Sequence, residues 1–173
     1  MPHMADSPRE PDIRLEMRSQ PRLLAAARAM VMQFAQRIGF PDGACGQISL
    51  AVDEALCNVI NHGYERRPDG HICLNLWALD GDDQPGLKVV IEDRARQVEP
   101  SVIQPRNLED IRPGGLGVHI IREIMDEARY EKREGGGMRL TMIKRGVAAC
   151  DDASDDAPPK QKVASGGRKV RRQ

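Results

Sequence analysis

Apolar residues along this chain change their spacing in a way that predicts both strands and helices. Between residues 12 and 18 they alternate with charged residues, which is typical of a half-buried β-strand. Over residues 23–38 they recur every three or four positions, as in an amphipathic helix. Ser19 is the expected N-cap of that helix, and Gly39 is its expected C-terminal cap.

The middle of the chain predicts a second helix followed by two strands. Residues 43–46 are interpreted as a connection, and the apolar spacing after them predicts a helix over residues 47–62. Apolar runs at residues 71–79 and 87–92 predict two strands, with turn-forming residues at 80–86 between them. Two strands joined by so short a turn are expected to pair in an antiparallel manner.

The second half of the chain predicts a long loop, a third helix and a hairpin. Residues 93–113 are polar and contain three prolines, and a loop of this length in a compact domain is usually functional or disordered. Glycines at residues 114–117 open a helix with an apolar repeat that continues to Ala128. Residues 128–133 and 138–144 flank three consecutive glycines, which predicts a β-hairpin.

These elements follow the order β-α-α-β-β-loop-α-β-β. Helices grouped between hairpin strands predict a two-layer α/β (α+β) sandwich, in which a mixed, mostly antiparallel sheet is covered on one face by helices. The domain is expected to span residues 12–146. Residues 1–11 and 147–173 are expected to be disordered, because they carry too little apolar surface to form a core.

Composition narrows the functional classes. Lys and Arg number 26 and Asp and Glu also number 26 among the 173 residues, so the charge balance predicts no nucleic-acid partner. Two Phe, two Tyr and one Trp are few for a platform that stacks bases. Four cysteines without zinc-site spacing are expected to be buried, reduced thiols. No apolar run approaches the ~20 residues of a membrane span, so a cytoplasmic location is predicted.

Residues 53–64 place polar side chains where a buried helix should be apolar. At about 100° per residue, Glu54, Asn58 and Asn61 form one narrow stripe along the predicted helix. A carboxylate and two carboxamides in line suit a bound cation, a water molecule or a phosphate. Taken alone, the stripe is also explained as an ordinary polar helix face in contact with solvent.

Two further positions can supply the other walls of a site. Asp93 follows the strand predicted at residues 87–92, where it can accept a hydrogen bond from an exocyclic amine such as that of adenine. An aspartate at a strand end is also common simply as a turn residue. The glycines before Val118 allow backbone N–H groups to approach an anion at a helix N-terminus.

In order and spacing, these segments resemble the GHKL ATPase superfamily, which includes histidine kinases, gyrase and the anti-sigma-factor serine kinases. The resemblance covers about residues 12–145. The matching segments are the N-box at Glu54 to Asn58 with its trailing Asn61-His62-Gly63-Tyr64, the G1-box Asp93, the G2-box Gly115-Leu116-Gly117, and a last hairpin strand containing Thr141.

The resemblance implies a role for each matched residue. These roles are general base for Glu54, Mg²⁺ ligand for Asn58, a supporting contact for Asn61, adenine recognition for Asp93, phosphate contacts for Gly115 and Gly117, and nucleotide contacts for Leu116 and Thr141. Phosphoryl transfer depends on positioning, a metal ion and a hydroxyl acceptor more than on covalent chemistry. Mg²⁺ prefers oxygen ligands such as an Asn carbonyl.

Two positions depart from the family pattern. Ala95 stands where the G1 box normally has glycine, so the backbone loses easy access to positive φ, although alanine fits a right-handed turn. Met138 occupies a position where the family often has Thr near adenine. Both departures bear on how well ATP binds.

The resemblance implies an anti-sigma-type serine/threonine kinase that uses ATP and Mg²⁺. Its expected partners are a STAS-type anti-anti-sigma protein, which it phosphorylates, a sigma factor, which it sequesters, and a second copy of itself. The alternative is a non-catalytic switch with a degenerate ATP site, either nucleotide-responsive or ATP-independent, that sequesters a partner. A third class is a nucleic-acid accessory protein acting through the basic residues 160–172, although such a tail is usually a solvated appendage.

Overall fold

The computed structural model describes residues 9–79, 85–103 and 116–146. Five strands form one sheet in the order β1-β2-β3-β5-β4, and each neighbouring pair is antiparallel. The strands are β1 (Ile13–Arg18), β2 (His71–Leu79), β3 (Gly86–Asp93), β4 (Glu127–Lys132) and β5 (Met138–Arg145). The helices are α1 (Leu24–Arg37), α2 (Asp42–Asn58) and α3 (Gly117–Ile124), with short 3₁₀ turns at Pro21–Leu23 and Pro100–Val102 and a π-helical turn at Val59–Gly63.

The helices cover one face of the sheet. Strand residues point alternately to the two faces, so Leu74 of β2 and its register partner Ile91 of β3 face the same way. Both are buried in one hydrophobic cluster with Val31 of α1 and Leu56 of α2. The predicted two-layer α+β sandwich is therefore confirmed.

The start of α1 differs from the prediction. Ser19 was expected to cap this helix, but a 3₁₀ turn precedes α1, and the residue before that turn is Gln20. The Ser19 side chain is buried instead, where its hydroxyl donates to the Arg67 carbonyl at 2.5 Å and accepts from the Gly70 N–H at 2.9 Å. Ser19 thus holds the turn before β2, a contact between distant segments that local spacing could not reveal.

The start of α2 also differs from the prediction. Residues 43–46 were expected to form a connection, but they lie within α2, which begins at Asp42 after Pro41. Cys45 is buried and its N–H bonds to the Pro41 carbonyl at 3.0 Å, so packing of this first turn outweighs the low helix propensity of its glycines.

The C-terminal cap predicted for α1 is confirmed, because Gly39 follows the helix with a φ of +102°.

The hairpin predicted near the end of the chain is confirmed. Residues 135, 136 and 137 are all glycines with positive φ, and they join β4 to β5. However, α3 ends at Ile124 and not at Ala128, which lies in β4 opposite Met142. The apolar residues after Ile124 belong to a strand, so the continuous helical repeat predicted there was wrong.

Some sequence-based expectations fall outside the described residues. These are the predicted disorder of residues 1–8 and 147–173, residues 80–84 of the turn, residues 104–113 of the long loop, and the G2-box residue Gly115. Among the cysteines that are described, Cys45 and Cys73 are buried free thiols, whereas Cys57 is half-buried. None of the helices within the described ranges has the length and apolar character that crossing a membrane requires.

Candidate functional site

A cavity of about 420 Å³ lies between the helices and the sheet. Its lining comes from the end of α2, the π-helical turn, β3 and the segment after it, the start of α3, β4 and β5. Most of the lining is apolar, and its polar side chains are Asn58, His62, Asp93, Arg96 and Tyr130. A mostly apolar cavity of this size with a few polar groups is typical of a small-molecule site.

The π-helical turn changes which residues of the predicted polar stripe reach the cavity. Over Val59–Gly63 the helix widens, and the Tyr64 N–H donates at 2.9 Å to the carbonyl five residues earlier. The wider turn holds one more residue than an α-helical turn, so the side chains beyond it shift by about one position around the axis. As a result His62 lines the cavity and Asn61 does not, and the Asn61 carboxamide accepts a hydrogen bond from Arg66 Nε at 3.2 Å. The uniform α-helix predicted to residue 62 was wrong, and Asn61 lies outside the cavity lining for that reason.

The first residue of α3 lies directly against the two remaining stripe residues. A Cβ atom added to Gly117 would lie 2.8 Å from Glu54 Oε2 and 3.2 Å from Asn58 Nδ2. The absence of a side chain at Gly117 therefore keeps open the space between a carboxylate, a carboxamide and the start of a helix. The structure brings together the three residues for which the sequence predicted the roles of base, metal ligand and phosphate contact.

The N-terminus of α3 presents backbone donors at the same place. Its N-cap residue, Leu116, makes no side-chain cap hydrogen bond. The first N–H groups of a helix lack intrahelical acceptors and carry the positive end of the helix dipole. Such donors suit phosphate oxygens. The Leu116 side chain is 56 % exposed, so any contribution from this residue would come from its backbone.

Asp93, the last residue of β3, lies at the cavity wall with only 4 % exposure. Its Oδ1 accepts hydrogen bonds from the Ala95 N–H at 2.8 Å and the Met138 N–H at 3.1 Å. Burial raises the pKa of the Asp93 carboxyl, and the two backbone hydrogen bonds and the Arg133 charge offset part of that rise. Within the described residues, both hydrogen bonds go to Oδ1, so Oδ2 is available to a ligand with a donor edge.

The main chain at Asp93 is held by contacts that sequence reasoning missed. Tyr64 Oη accepts hydrogen bonds from the Arg94 N–H at 2.9 Å and the His71 N–H at 3.1 Å. Arg133 Nη1 donates to the Asp93 carbonyl at 2.7 Å. The position of Tyr64 at the end of the His-Gly-Tyr segment was a signal that could have identified this contact. No local signal identifies Arg133, because it is 40 residues from Asp93 in the chain.

Gly137 allows β5 to begin directly beside Asp93. Its φ is +84°, and an added Cβ atom would overlap the Asp93 carbonyl group and lie 2.8 Å from Arg94 Cα. A side chain here would therefore require the backbone to move. This close approach places the Met138 N–H on the Asp93 carboxylate.

The alanine in place of the usual G1-box glycine is accommodated without backbone strain. Ala95 has no positive φ, and its N–H bonds to Asp93 in a local turn. Its methyl group packs toward Gly63, where an added Cβ atom would lie 3.0 Å from the Ala95 Cβ. The missing side chain at Gly63 thus provides the room that the methyl group at position 95 occupies.

On the last strand, the cavity is lined by Met138 and Leu140 and not by Thr141. Side chains alternate along a strand, so Thr141 lies on the other sheet face, where its register partners are Val90 and Arg129. A side chain on that face is separated from the cavity by the sheet itself. The nucleotide contact expected of Thr141 therefore has no basis in this geometry, and Met138 occupies the place near Asp93.

The arrangement has two chemically different ends. The buried Asp93 carboxylate and the apolar walls suit a planar group with an amine edge, and the start of α3 suits anionic oxygens. The Asn58 carbonyl and the Glu54 carboxylate next to Gly117 offer oxygen atoms of the kind that Mg²⁺ prefers. The donor set therefore fits a magnesium-bound nucleoside phosphate.

Known proteins match this chain over most of its length. Residues 17–144 match the family described as the histidine kinase-like ATPase domain. The anti-sigma F factor of Clostridium botulinum (strain Eklund 17B / Type B) is 29% identical over 140 residues, covering 79% of this chain and 95% of that protein. The serine-protein kinase RsbW of Oceanobacillus iheyensis is 24% identical over 152 residues, covering 83% and 92%.

One solved structure shows the same fold. It is the crystal structure of the RsbU and RsbW domains of Rv1364c from Mycobacterium tuberculosis, with a TM-score of 0.52 and 20% identity. The match covers 80% of this chain but only 34% of that longer chain. At this identity, the likeness establishes a common fold alone.

Proposed function

Because this chain belongs to the histidine kinase-like ATPase domain family, we propose that it binds Mg-ATP and acts as an anti-sigma-type serine/threonine protein kinase. Its proposed substrate is a serine on a STAS-type anti-anti-sigma partner, and its second proposed partner is a sigma factor. The names of the relatives, an anti-sigma F factor and a serine-protein kinase RsbW, support both partners. A homodimer, with β1 and α1 as candidate surfaces, is part of the same proposal.

The observation that carries the proposal is the contact of Gly117 with Glu54 and Asn58. Asn58 and Gly117 line the cavity, and the Glu54 carboxylate lies beside Gly117 at the start of α3. The buried Asp93 carboxylate lies on the wall of the same cavity. Phosphoryl transfer needs these groups in a fixed relation more than it needs a reactive side chain.

In the proposed reaction, each residue performs one step of positioning or proton transfer. Asp93 accepts a hydrogen bond from the exocyclic amine of adenine, and the N–H groups at the start of α3 hold phosphate oxygens. Glu54 accepts the proton of the serine hydroxyl as the new O–P bond forms and the bond to ADP breaks. Asn58 would hold a magnesium ion, which offsets the charge of the triphosphate.

The experiment that tests this proposal measures transfer of the γ-phosphate from labelled ATP to STAS-domain proteins. In Glu54→Gln, we expect transfer to fall about 10²- to 10⁴-fold while ATP affinity changes little, because only the proton acceptor is lost. Asp53→Asn is the matched control, since the neighbouring Asp53 carboxylate lies 3.5 Å from Arg28 Nη1. Undiminished transfer in Glu54→Gln would show that Glu54 is not the base.

A second candidate is a switch that binds its partner without catalysis. The apolar Met138 favours it, because this side chain lines the cavity where the family often has a hydroxyl group near adenine. Calorimetry separates the kinase from the form of this switch that works without ATP. A catalytic kinase binds ATP in the presence of Mg²⁺, whereas a partner complex that forms with no detectable ATP binding would support the switch.

A further inference from the structure

Tyr130 carries a buried hydroxyl group for which the described residues supply no hydrogen-bond partner. It lies on β4 opposite Leu140 of β5 and lines the cavity. Among the described residues, none forms a hydrogen bond with Tyr130 Oη, although this atom is shielded from solvent. Buried polar groups are usually hydrogen-bonded, and leaving one unpaired costs stability. A hydroxyl group in this state inside a cavity points to a ligand.

The other tyrosine of the chain shows what a satisfied hydroxyl looks like in this fold. Tyr64 Oη donates to the His71 carbonyl at 2.5 Å and accepts from the N–H groups of His71 and Arg94. The two tyrosines therefore differ in whether the described part of the chain supplies partners for the hydroxyl group. Tyr64 is structural by this criterion, whereas the residues that the structure describes leave the Tyr130 hydroxyl group without a partner.

The surroundings of Tyr130 keep its hydroxyl group protonated and isolated. Burial raises the pKa of Tyr130 to about 12, and the positive charge of Arg122 offsets only part of that rise. The hydroxyl group therefore remains a hydrogen-bond donor at neutral pH. Of the three residues that β4 and β5 contribute to the cavity lining, the other two, Met138 and Leu140, are apolar.

We propose that the Tyr130 hydroxyl group hydrogen-bonds to the nucleotide in the cavity. This inference rests on the proposed function, which supplies the nucleotide. Tyr130 provides on β4 a polar group that the β5 wall lacks, because Met138 stands where the family often has Thr. Tyr130 is a binding residue in this role and takes no part in the transfer step.

The test is Tyr130→Phe, with ATP binding measured by calorimetry in Mg²⁺ and thermal unfolding measured without nucleotide. We expect the Kd for ATP to rise about tenfold, the equivalent of one hydrogen bond. We expect the melting temperature of the free protein to stay unchanged or to rise, because the deleted hydroxyl group has no partner within residues 9–79, 85–103 and 116–146. A purely structural tyrosine would not produce weaker binding together with undiminished stability.

Tyr64→Phe is the matched control, because it deletes the same atom from a hydroxyl group that has partners. It should lower the melting temperature of the free protein, which shows that the unfolding measurement detects the loss of a bonded hydroxyl group. If wild-type protein binds ATP and Tyr130→Phe binds it equally well, the inference is overturned and the proposed function stands. A lower melting temperature in Tyr130→Phe also overturns the inference, and wild-type protein that binds no ATP overturns both.

Discussion

Replacing Asp93 by asparagine tests the adenine-binding end of the site with the least possible change of shape. The carboxylate accepts two backbone hydrogen bonds at Oδ1, from Ala95 at 2.8 Å and from Met138 at 3.1 Å. An amide can keep both bonds through its carbonyl oxygen, which forces its NH₂ group to take the place of Oδ2. The variant therefore preserves the loop and turns the acceptor that faces the ligand into a donor.

The expected effects on binding and stability differ greatly in size. A hydrogen bond to a charged acceptor contributes about 1.5–3 kcal/mol, so its loss from Asp93 should raise the Kd for ATP about 10- to 150-fold. The free energy of unfolding should change by less than about 1 kcal/mol, because both backbone hydrogen bonds remain. Calorimetry with Mg-ATP and urea unfolding on the same preparations measure the two quantities. Asp69→Asn, at an exposed turn position, is the control and should change neither.

The dependence of stability on pH gives a separate check on Asp93. Burial raises the pKa of this carboxyl in the folded protein above its ordinary value, so the folded state binds more protons between the two pKa values. The contribution of Asp93 to stability is therefore present at low pH and is lost as pH rises through the raised pKa. Asparagine does not titrate, so Asp93→Asn should gain stability relative to wild type over that window. Unchanged ATP affinity, or a variant that gains nothing as pH rises, would refute the reasoning.

Two further predictions concern glycines that provide space. Gly117→Ala should abolish phosphoryl transfer, because the new methyl group would lie 2.8 Å from Glu54 Oε2 and displace the proposed base. The cost in stability should be small, because the Glu54 side chain can turn aside. An active variant in the transfer assay would contradict this prediction. Gly63→Ala should lower the free energy of unfolding by about 1–3 kcal/mol, because its methyl group would lie 3.0 Å from the Ala95 Cβ. Adding Ala95→Gly should recover part of that loss in urea unfolding, and strictly additive effects would show that the two methyl groups do not meet.

The sequence alone was sufficient for the fold class and for one end of the site. Strand alternation and helical spacing report the local geometry of each segment, and the order of segments allowed few architectures other than helices over an antiparallel sheet. Glu54 and Asn58 are four residues apart on a regular helix, so their common face follows from helix geometry. The family pattern then linked them to Gly117 and Asp93, and the structure places both residues at the cavity.

Only the tertiary structure decided which other groups reach that cavity. The π-helical turn brings His62 to the lining and leaves Asn61 outside, a change that a uniform helical repeat cannot express. The support of Asp93 by Arg133 and the burial of the Tyr130 hydroxyl group depend on strands that are distant in the chain. The spacing of apolar residues reflects the local geometry of one segment, whereas the partner of a buried polar atom depends on how separate segments pack together.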